Sequence, residues 1–201
     1  MSLEVLAVMS FKESKKKIRE EILRQRGAFY KEGSSEASDT IIKRLMVEPA
    51  YQHAAIIFCF VSFGTEVHTH DFIKQALLEG KRIFVPYIPK KSEGMKACEI
   101  KDFSELELGY FNILTPKEEF RRITEEQPDM IVMPGVAFSR DGYRVGYGGG
   151  FYDRYLSSLT KPVDLIGIGF HLQVVDEVPV EAFDQPIHQL ITEKEILYFR
   201  N

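Results

Sequence analysis

The sequence predicts an α/β fold, a parallel sheet with both faces covered, and it does so on three observations. Four short apolar runs, "AAIIFCFV", "RIFVP", "DMIVMPG" and "PVDLIGIGF", are rich in β-branched and aromatic residues and read as buried strands. Segments with helical periodicity stand between or before them, the arrangement that crossover connections of a parallel sheet require. At 201 residues with 44% hydrophobic and 12% aromatic content, the chain can bury a substantial core and is most simply one domain.

The opening "MSLEVLAVMS" lacks the basic front region and the length of a secretion signal. Residues 1–9 read as an N-terminal extension, in part an expression scar, ahead of a single domain over 10–201. The first helix is "FKESKKKIREEILRQRGAFY", with Ile18, Ile22, Leu23 and Phe29 at helical spacing. A second, "SSEASDTIIKRLMVEP", opens with serine caps and stops at Pro49. After the first strand, "HDFIKQALLEG" is a helix closed by Gly80, followed by the strand "RIFVP". "ELELGYFNILTP" reads as an acidic surface connection. "DMIVMPG" and "PVDLIGIGF" are the remaining strands, with the helix "FYDRYLSSL" between them. The tail "HQLITEKEILYFR" reads as a turn and an edge strand.

Composition sets further bounds. A formal charge of −4 and a pI near 5.8 remove any chain-wide argument for nucleic acid. No apolar stretch approaches the roughly 20 residues of a membrane helix. Two cysteines, Cys59 and Cys98, make no disulfide framework, which fits a reducing cytoplasm. His68 and His70 lack the further ligands of a zinc site. The sequence leaves monomer and homodimer open.

In open parallel sheets ligands bind beyond the carboxyl ends of the strands. The loops "SFGTE", "YIPKKSEGM" and "PGVAFSRDGYRVGYGGG" should therefore face one cleft, with Asp141 and Gly142 turning a short ribbon over it. "RVGYGGGFYDRYL", from Arg144 to Leu156, sets four glycines among three tyrosines and a phenylalanine. It is no P-loop, having no lysine followed by Ser or Thr, and it lies too late for the dinucleotide fingerprint. Two readings stay open on the residues alone: a plain turn, or main-chain N–H groups brought to an anion.

The block from Met133 to Asp153, "MPGVAFSRDGYRVGYGGGFYD", resembles the signature of the 5-formyltetrahydrofolate cyclo-ligase (methenyltetrahydrofolate synthetase) family. Lys15 and Arg19 match the family's basic helix, and Thr65 to Thr69 match the end of its first strand. The resemblance spans most of the chain and is patchy between Pro86 and Asp129. It implies a three-layer α/β/α domain like that of sugar-phosphate isomerases and CoA transferases. It also implies ATP-dependent conversion of 5-formyltetrahydrofolate to 5,10-methenyltetrahydrofolate with Mg²⁺. The rivals are a small-metabolite kinase or isomerase on the same scaffold and a non-catalytic folate or nucleotide-binding regulator.

What the resemblance implies residue by residue can be set beside the plainer roles. Lys15 and Arg19 would meet phosphate, otherwise belonging to a solvated basic face with Lys16, Lys17, Arg24 and Arg26. Arg144 would bind phosphate, or else pair with an acid such as Asp141. Gly146, Gly148, Gly149 and Gly150 would present N–H groups to the nucleotide, with Tyr147, Phe151 and Tyr152 beside it. Lys15, Arg144 and Tyr152 are the catalytic expectations. Glu66 would accept the pterin's adjacent N–H donors, walled by Val61, Phe63, Tyr147 and Phe151, or else be a helix N-terminal acid. Asp153 would hold Mg²⁺, or merely favour the helix dipole. Three positions depart from the family: Tyr147 stands where members carry arginine, Gly149 where members carry lysine, and His188 where a second aspartate is common. Gly149 is thus the expected tolerant glycine, and His188 is not expected to bind metal.

Overall fold

In the computed structural model, which describes residues 3–109 and 112–199, with side chains from Phe11 onward except that of Lys91, period-two alternation divides the sheet into two buried faces. Strand β1 (Ile56–Cys59) sends Ile57 and Cys59 to one face and Phe58 to the other; β2 (Arg82–Tyr87) does the same with Ile83, Val85 and Phe84. Continuous apolar runs follow, because each strand has a hydrophobic layer above and below it.

Helices α2 (Ser34–Val47), α3 (Pro49–His53) and α4 (His70–Leu78) cover the first face, burying Ile41, Leu45, Tyr51, Phe72 and Ile73. The second face is covered by α5 (Phe151–Ser157), through Leu156, and by Phe138 of the ribbon β8 (Ala137–Ser139) and β9 (Arg144–Val145), which β11 (Val174–Val175) joins beside β8. The first helix, α1 (Leu3–Tyr30), packs through Ile22 on Val136, Ala137 and Val145, so it lies across that ribbon.

Among the described residues the central sheet has eight strands. Its parallel part runs β12 (Gln189–Ile191), β10 (Asp164–Ile168), β7 (Met130–Met133), β1, β2. Antiparallel strands extend both edges: β13 (Ile196–Tyr198) beside β12, and β3 (Lys96–Ile100) then β6 (Arg122–Thr124) beside β2. The three-layer α/β/α architecture and the mostly parallel sheet are as the sequence predicts. The carboxyl ends of β1, β2 and β7 point the same way, which brings their following loops to one end of the molecule.

Several local readings differ. "ELELGYFNILTP" is more than a connection: β4 (Leu106–Leu108) and β5 (Leu114–Pro116) form a hairpin, although Leu108 stays exposed. Strands of three residues with mixed polarity give too short a pattern for alternation to register. The tail contains β12 before its turn as well as the edge strand β13. The serines opening α2 do not cap it through side chains; Gly33 is at the cap, and Ser34 Oγ donates instead to the Tyr30 carbonyl. Helix α1 begins at Leu3, inside the stretch read as an extension.

Candidate active site

Residues Lys15, Arg19, Ile22 and Arg26 fall at i, i+4, i+7 and i+11 and so share one stripe of α1. Ile22 fixes the stripe against the ribbon, and the three cations on either side of it are thereby carried into the cleft. Lys16, Lys17 and Arg24, off the stripe, are exposed.

The loop after β1 supplies the buried carboxylate. Thr69 Oγ1 receives the Ser62 N–H and donates to the Phe60 carbonyl, while Ser62 Oγ receives the Thr69 N–H, closing the loop on itself. Within that brace Glu66 N–H reaches the Phe63 carbonyl, and Glu66 Oε2 accepts the Phe63 N–H at 3.1 Å. Glu66 is only 5% exposed. Burial pushes its carboxyl up to about 7, against the opposing pull of the Phe63 N–H, the Arg26 charge and Tyr147. It is therefore a loop acceptor, not an N-terminal acid of α4, which starts at His70. Val61 is buried in the core beneath, and Phe63 lies half-buried with its ring 5.4 Å from that of Tyr147.

Across from this loop, the glycine turn runs from β9 into α5. Gly148 and Gly150 have φ of 95° and 63°, left-handed values that a side chain adopts only with strain. Gly149 has no such need, but a Cβ there would stand 2.7 Å from the Phe151 ring. The expected tolerance at Gly149 thus requires Phe151 to swing aside. Arg19 Nε donates to the Gly146 carbonyl at 2.8 Å, and Arg154 Nη2 to that of Gly149 at 2.8 Å, pinning the turn from both sides. A cavity of about 350 Å³ bounded by Ser92, Gly94, Met95 and Tyr155 is also lined by Arg154.

The remaining cations meet acids. Lys15 Nζ lies 2.6 Å from Asp184 and 2.9 Å from Glu181. Burial works against its charge, yet the two carboxylates prevail and hold the ammonium above its ordinary value. Arg144, 9% exposed, donates to Asp153 Oδ1 at 2.7 Å and to the Gln185 carbonyl at 2.7 Å. Its acidic partner is therefore Asp153, not Asp141, which instead accepts from Ser139 Oγ. Tyr155 packs as expected, stacked on Phe58 at 4.9 Å. Tyr152 presents its edge to Phe58 at 6.1 Å, and its buried hydroxyl has no partner among the described residues. Desolvation holds that phenol well above 10, so it stays a neutral O–H.

Among the described residues there is no cluster of three or more His, Cys, Asp or Glu side chains fit for a metal ion. Asp153 retains one oxygen not engaged by Arg144, which suits Mg²⁺ shared with phosphates and water but no dedicated cage. The His188 ring engages the backbone of β10: its Nδ1 accepts the Leu165 N–H at 3.2 Å, and the His188 backbone N–H donates to the Leu165 carbonyl. Two elements of this geometry escape residue-by-residue reading. Arg26, grouped by sequence with a solvated face, is 2% exposed; its place on the α1 stripe was the available signal. Glu181 and Gln185 join the site from a segment with no periodic pattern.

The structure is a three-layer α/β/α domain that gathers cations, a glycine turn and the buried carboxylate of Glu66 at its strand ends. The chain belongs to the 5-formyltetrahydrofolate cyclo-ligase family, whose model matches residues 11–193. It is 32% identical to the 5-formyltetrahydrofolate cyclo-ligase of Escherichia coli (strain K12) over 87% of this chain and 98% of that one. A probable 5-formyltetrahydrofolate cyclo-ligase from Caenorhabditis elegans is 28% identical over 94% and 98% of the two chains. The solution structure of Aquifex aeolicus 5,10-methenyltetrahydrofolate synthetase superposes with a TM-score of 0.81 at 27% identity, covering 93% of each chain.

Proposed function

We propose that the protein cyclises 5-formyltetrahydrofolate to 5,10-methenyltetrahydrofolate, using ATP as phosphoryl donor and releasing ADP and phosphate. The observation that carries this reading is the placement of Glu66. A buried carboxylate with an acceptor oxygen to offer adjacent N–H donors stands opposite the glycine turn and its cations. A phosphometabolite kinase or isomerase has no use for that acceptor beside the Phe63 and Tyr147 rings.

The N5-formyl group is an amide, with a weakly electrophilic carbon and an oxygen that cannot leave. In the proposed sequence the formyl oxygen takes the γ-phosphoryl group and ADP departs, leaving an iminium phosphate. N10 then attacks the carbon, its proton is lost, and phosphate leaves with the former formyl oxygen. Phosphoryl transfer depends on positioning and charge stabilisation, so donors aimed at the phosphates are the main requirement. Lys15 has three N–H donors, two directed at carboxylates and one to spare. Arg19 engages through Nε, leaving its terminal nitrogens beside Gly148 for a phosphate. Arg144 is anchored by Asp153 and Gln185 at the start of the turn. Tyr152 offers its unpartnered O–H to an oxygen of the incoming ligand. Asp153 would hold Mg²⁺, which neutralises phosphate charge when bound.

Mixing the protein with 5-formyltetrahydrofolate, ATP and Mg²⁺ tests the proposal, because ring closure creates the extended conjugation that absorbs in the near ultraviolet. An ATP-dependent rise is expected. Folded protein that binds both compounds without that rise contradicts catalysis and favours a non-catalytic binder.

A further inference from the structure

Arg26 is the most buried charged side chain among the described residues, at 2% exposure, yet its hydrogen-bond acceptors are neutral hydroxyls. Nε donates to Thr65 Oγ1 at 2.9 Å and Nη2 to Tyr147 OH at 2.7 Å. A buried guanidinium whose close partners carry no charge is costly to maintain, and an apolar side chain could fill such a site at less expense. Thr65 belongs to the loop that holds Glu66, and Tyr147 to the glycine turn, so this one side chain ties together the two walls of the cleft. The Arg26 guanidinium also lies 6.0 Å from the centre of the Tyr147 ring.

We propose that Arg26 is a positioning residue for folate recognition: stretched between Thr65 and Tyr147, it holds the Tyr147 hydroxyl toward Glu66 and keeps that carboxylate charged and aimed into the cleft. The inference rests on the folate reading of Glu66 given above. Three groups face Glu66 from the surrounding elements: Arg26 from α1, Tyr147 from the glycine turn and Tyr152 from α5. Of these only Arg26 carries positive charge and so favours the ionised acceptor. Burial acts the other way on Glu66 and raises the Tyr147 phenol to about 12, so without Arg26 the pocket would tend to a protonated carboxyl. A protonated Glu66 loses an acceptor for the pterin's N–H pair. Folate affinity should accordingly fall as pH drops below the Glu66 midpoint, and that midpoint should move up when the Arg26 charge is removed.

The test compares wild type, Arg26→Met, Arg26→Lys and Tyr147→Phe, with Arg24→Met as a surface control. Calorimetric binding of 5-formyltetrahydrofolate across pH is measured alongside KM for each substrate. Arg26→Met is expected to weaken folate binding by about tenfold or more, the effect of losing charged hydrogen bonds, and to raise the pH midpoint. The KM for ATP should stay within about twofold. Arg26→Lys, which keeps the charge, should return the pH midpoint toward wild type even where affinity recovers only in part; a purely structural role predicts no such rescue. Tyr147→Phe should weaken folate binding, and less than additively when combined with Arg26→Met. Equal loss of ATP and folate affinity, or an unmoved pH midpoint in Arg26→Met, overturns the inference. If Arg26→Met does not fold, Arg26→Lys and Tyr147→Phe decide it: a folate-selective loss supports the role, and no loss or an ATP-selective one overturns it. Wild type that binds 5-formyltetrahydrofolate without forming methenyl product contradicts the proposed reaction but not this inference. Wild-type turnover with folate binding unaltered in Arg26→Met does the reverse.

Discussion

The two ends of the α1 stripe solve the same problem, a cation carried into a cleft, in opposite ways. At the Arg26 end the charge is sealed from water, its partners are hydroxyls, and the nearby carboxyl of Glu66 is pushed up to about 7 by burial. At the Lys15 end the ammonium sits between Glu181 and Asp184, and Arg144 nearby leans on Asp153. The first arrangement is a pocket wall in which one guanidinium spans two hydroxyls from opposite sides of the cleft. The second is a set of cations held by exchangeable anions, a state suited to a ligand that brings its own negative charge. Under the proposed function, the contrast would let a single helix serve a neutral ring at one end and a polyphosphate at the other.

The largest expected effect lies at the Lys15 end, where the proposal puts the phosphates. Lys15→Ala and Arg19→Ala should each lose about 10² to 10³ in kcat/KM, because their charges would act on the transferring phosphoryl group, whereas Lys17→Ala should change little. Three equal values would erase the stripe as a functional unit. Gly148→Val should follow, with activity lost well before stability, since its φ of 95° is needed beside Arg19. Gly149→Lys is expected to act differently, through the Phe151 ring; soluble, folded protein with raised folate KM and modest change in kcat is the sign to look for.

At the Arg26 end, Glu66→Gln gives an effect of opposite sign on stability and function. The folded-state pKa of Glu66 lies above its ordinary value of 4.5, so the fold binds this proton more tightly than the unfolded chain does. That contribution is fully present below about 4.5 and is lost as pH rises through about 7. Glu66→Gln should therefore flatten the fall in melting temperature over this window and melt higher than wild type at pH 8, while binding folate less well. A melting curve with the same pH dependence as wild type would mean that Glu66 is not buried as described.

The smallest effect is expected at His188. His188→Ala removes an acceptor for the Leu165 N–H and should cost about 1 kcal/mol of stability, with the Mg²⁺ requirement unchanged. Asp153→Asn should raise that requirement severalfold. Equal Mg²⁺ dependence in the two variants would show that the metal assignment to Asp153, or the alignment of the tail, is wrong.

The parallel centre of the fold was legible because β1, β2, β7 and β10 are apolar apart from Arg82 and Asp164 at the first positions of β2 and β10, and because Gly80 and Pro49 mark helix ends. The antiparallel margin was not: β6 has three residues, and the polar side chains at this edge find partners on other elements, Arg122 of β6 on Glu105 and Arg82 of β2 on Glu99 of β3. Local patterning carries no trace of such cross-strand pairing. In the site, the glycine turn, Glu66 and Arg144 stood out through residue order. Arg26 did not, because a run of lysines and arginines hides which one faces inward until the helix is rotated against Ile22. The partners of Lys15 come from residues more than 160 positions away, which only the tertiary fold brings near.

The division of labour between the two ends is tested most directly by methenyl formation with both substrates varied, in Lys15→Ala and Glu66→Gln side by side. The account predicts a crossed pattern: Lys15→Ala impairs kcat and the KM for ATP with the KM for 5-formyltetrahydrofolate nearly unchanged, and Glu66→Gln raises the KM for 5-formyltetrahydrofolate with that for ATP nearly unchanged. If both variants raise the same KM, or each raises the other's, the assignment of a polyphosphate to one end and a pterin to the other is wrong.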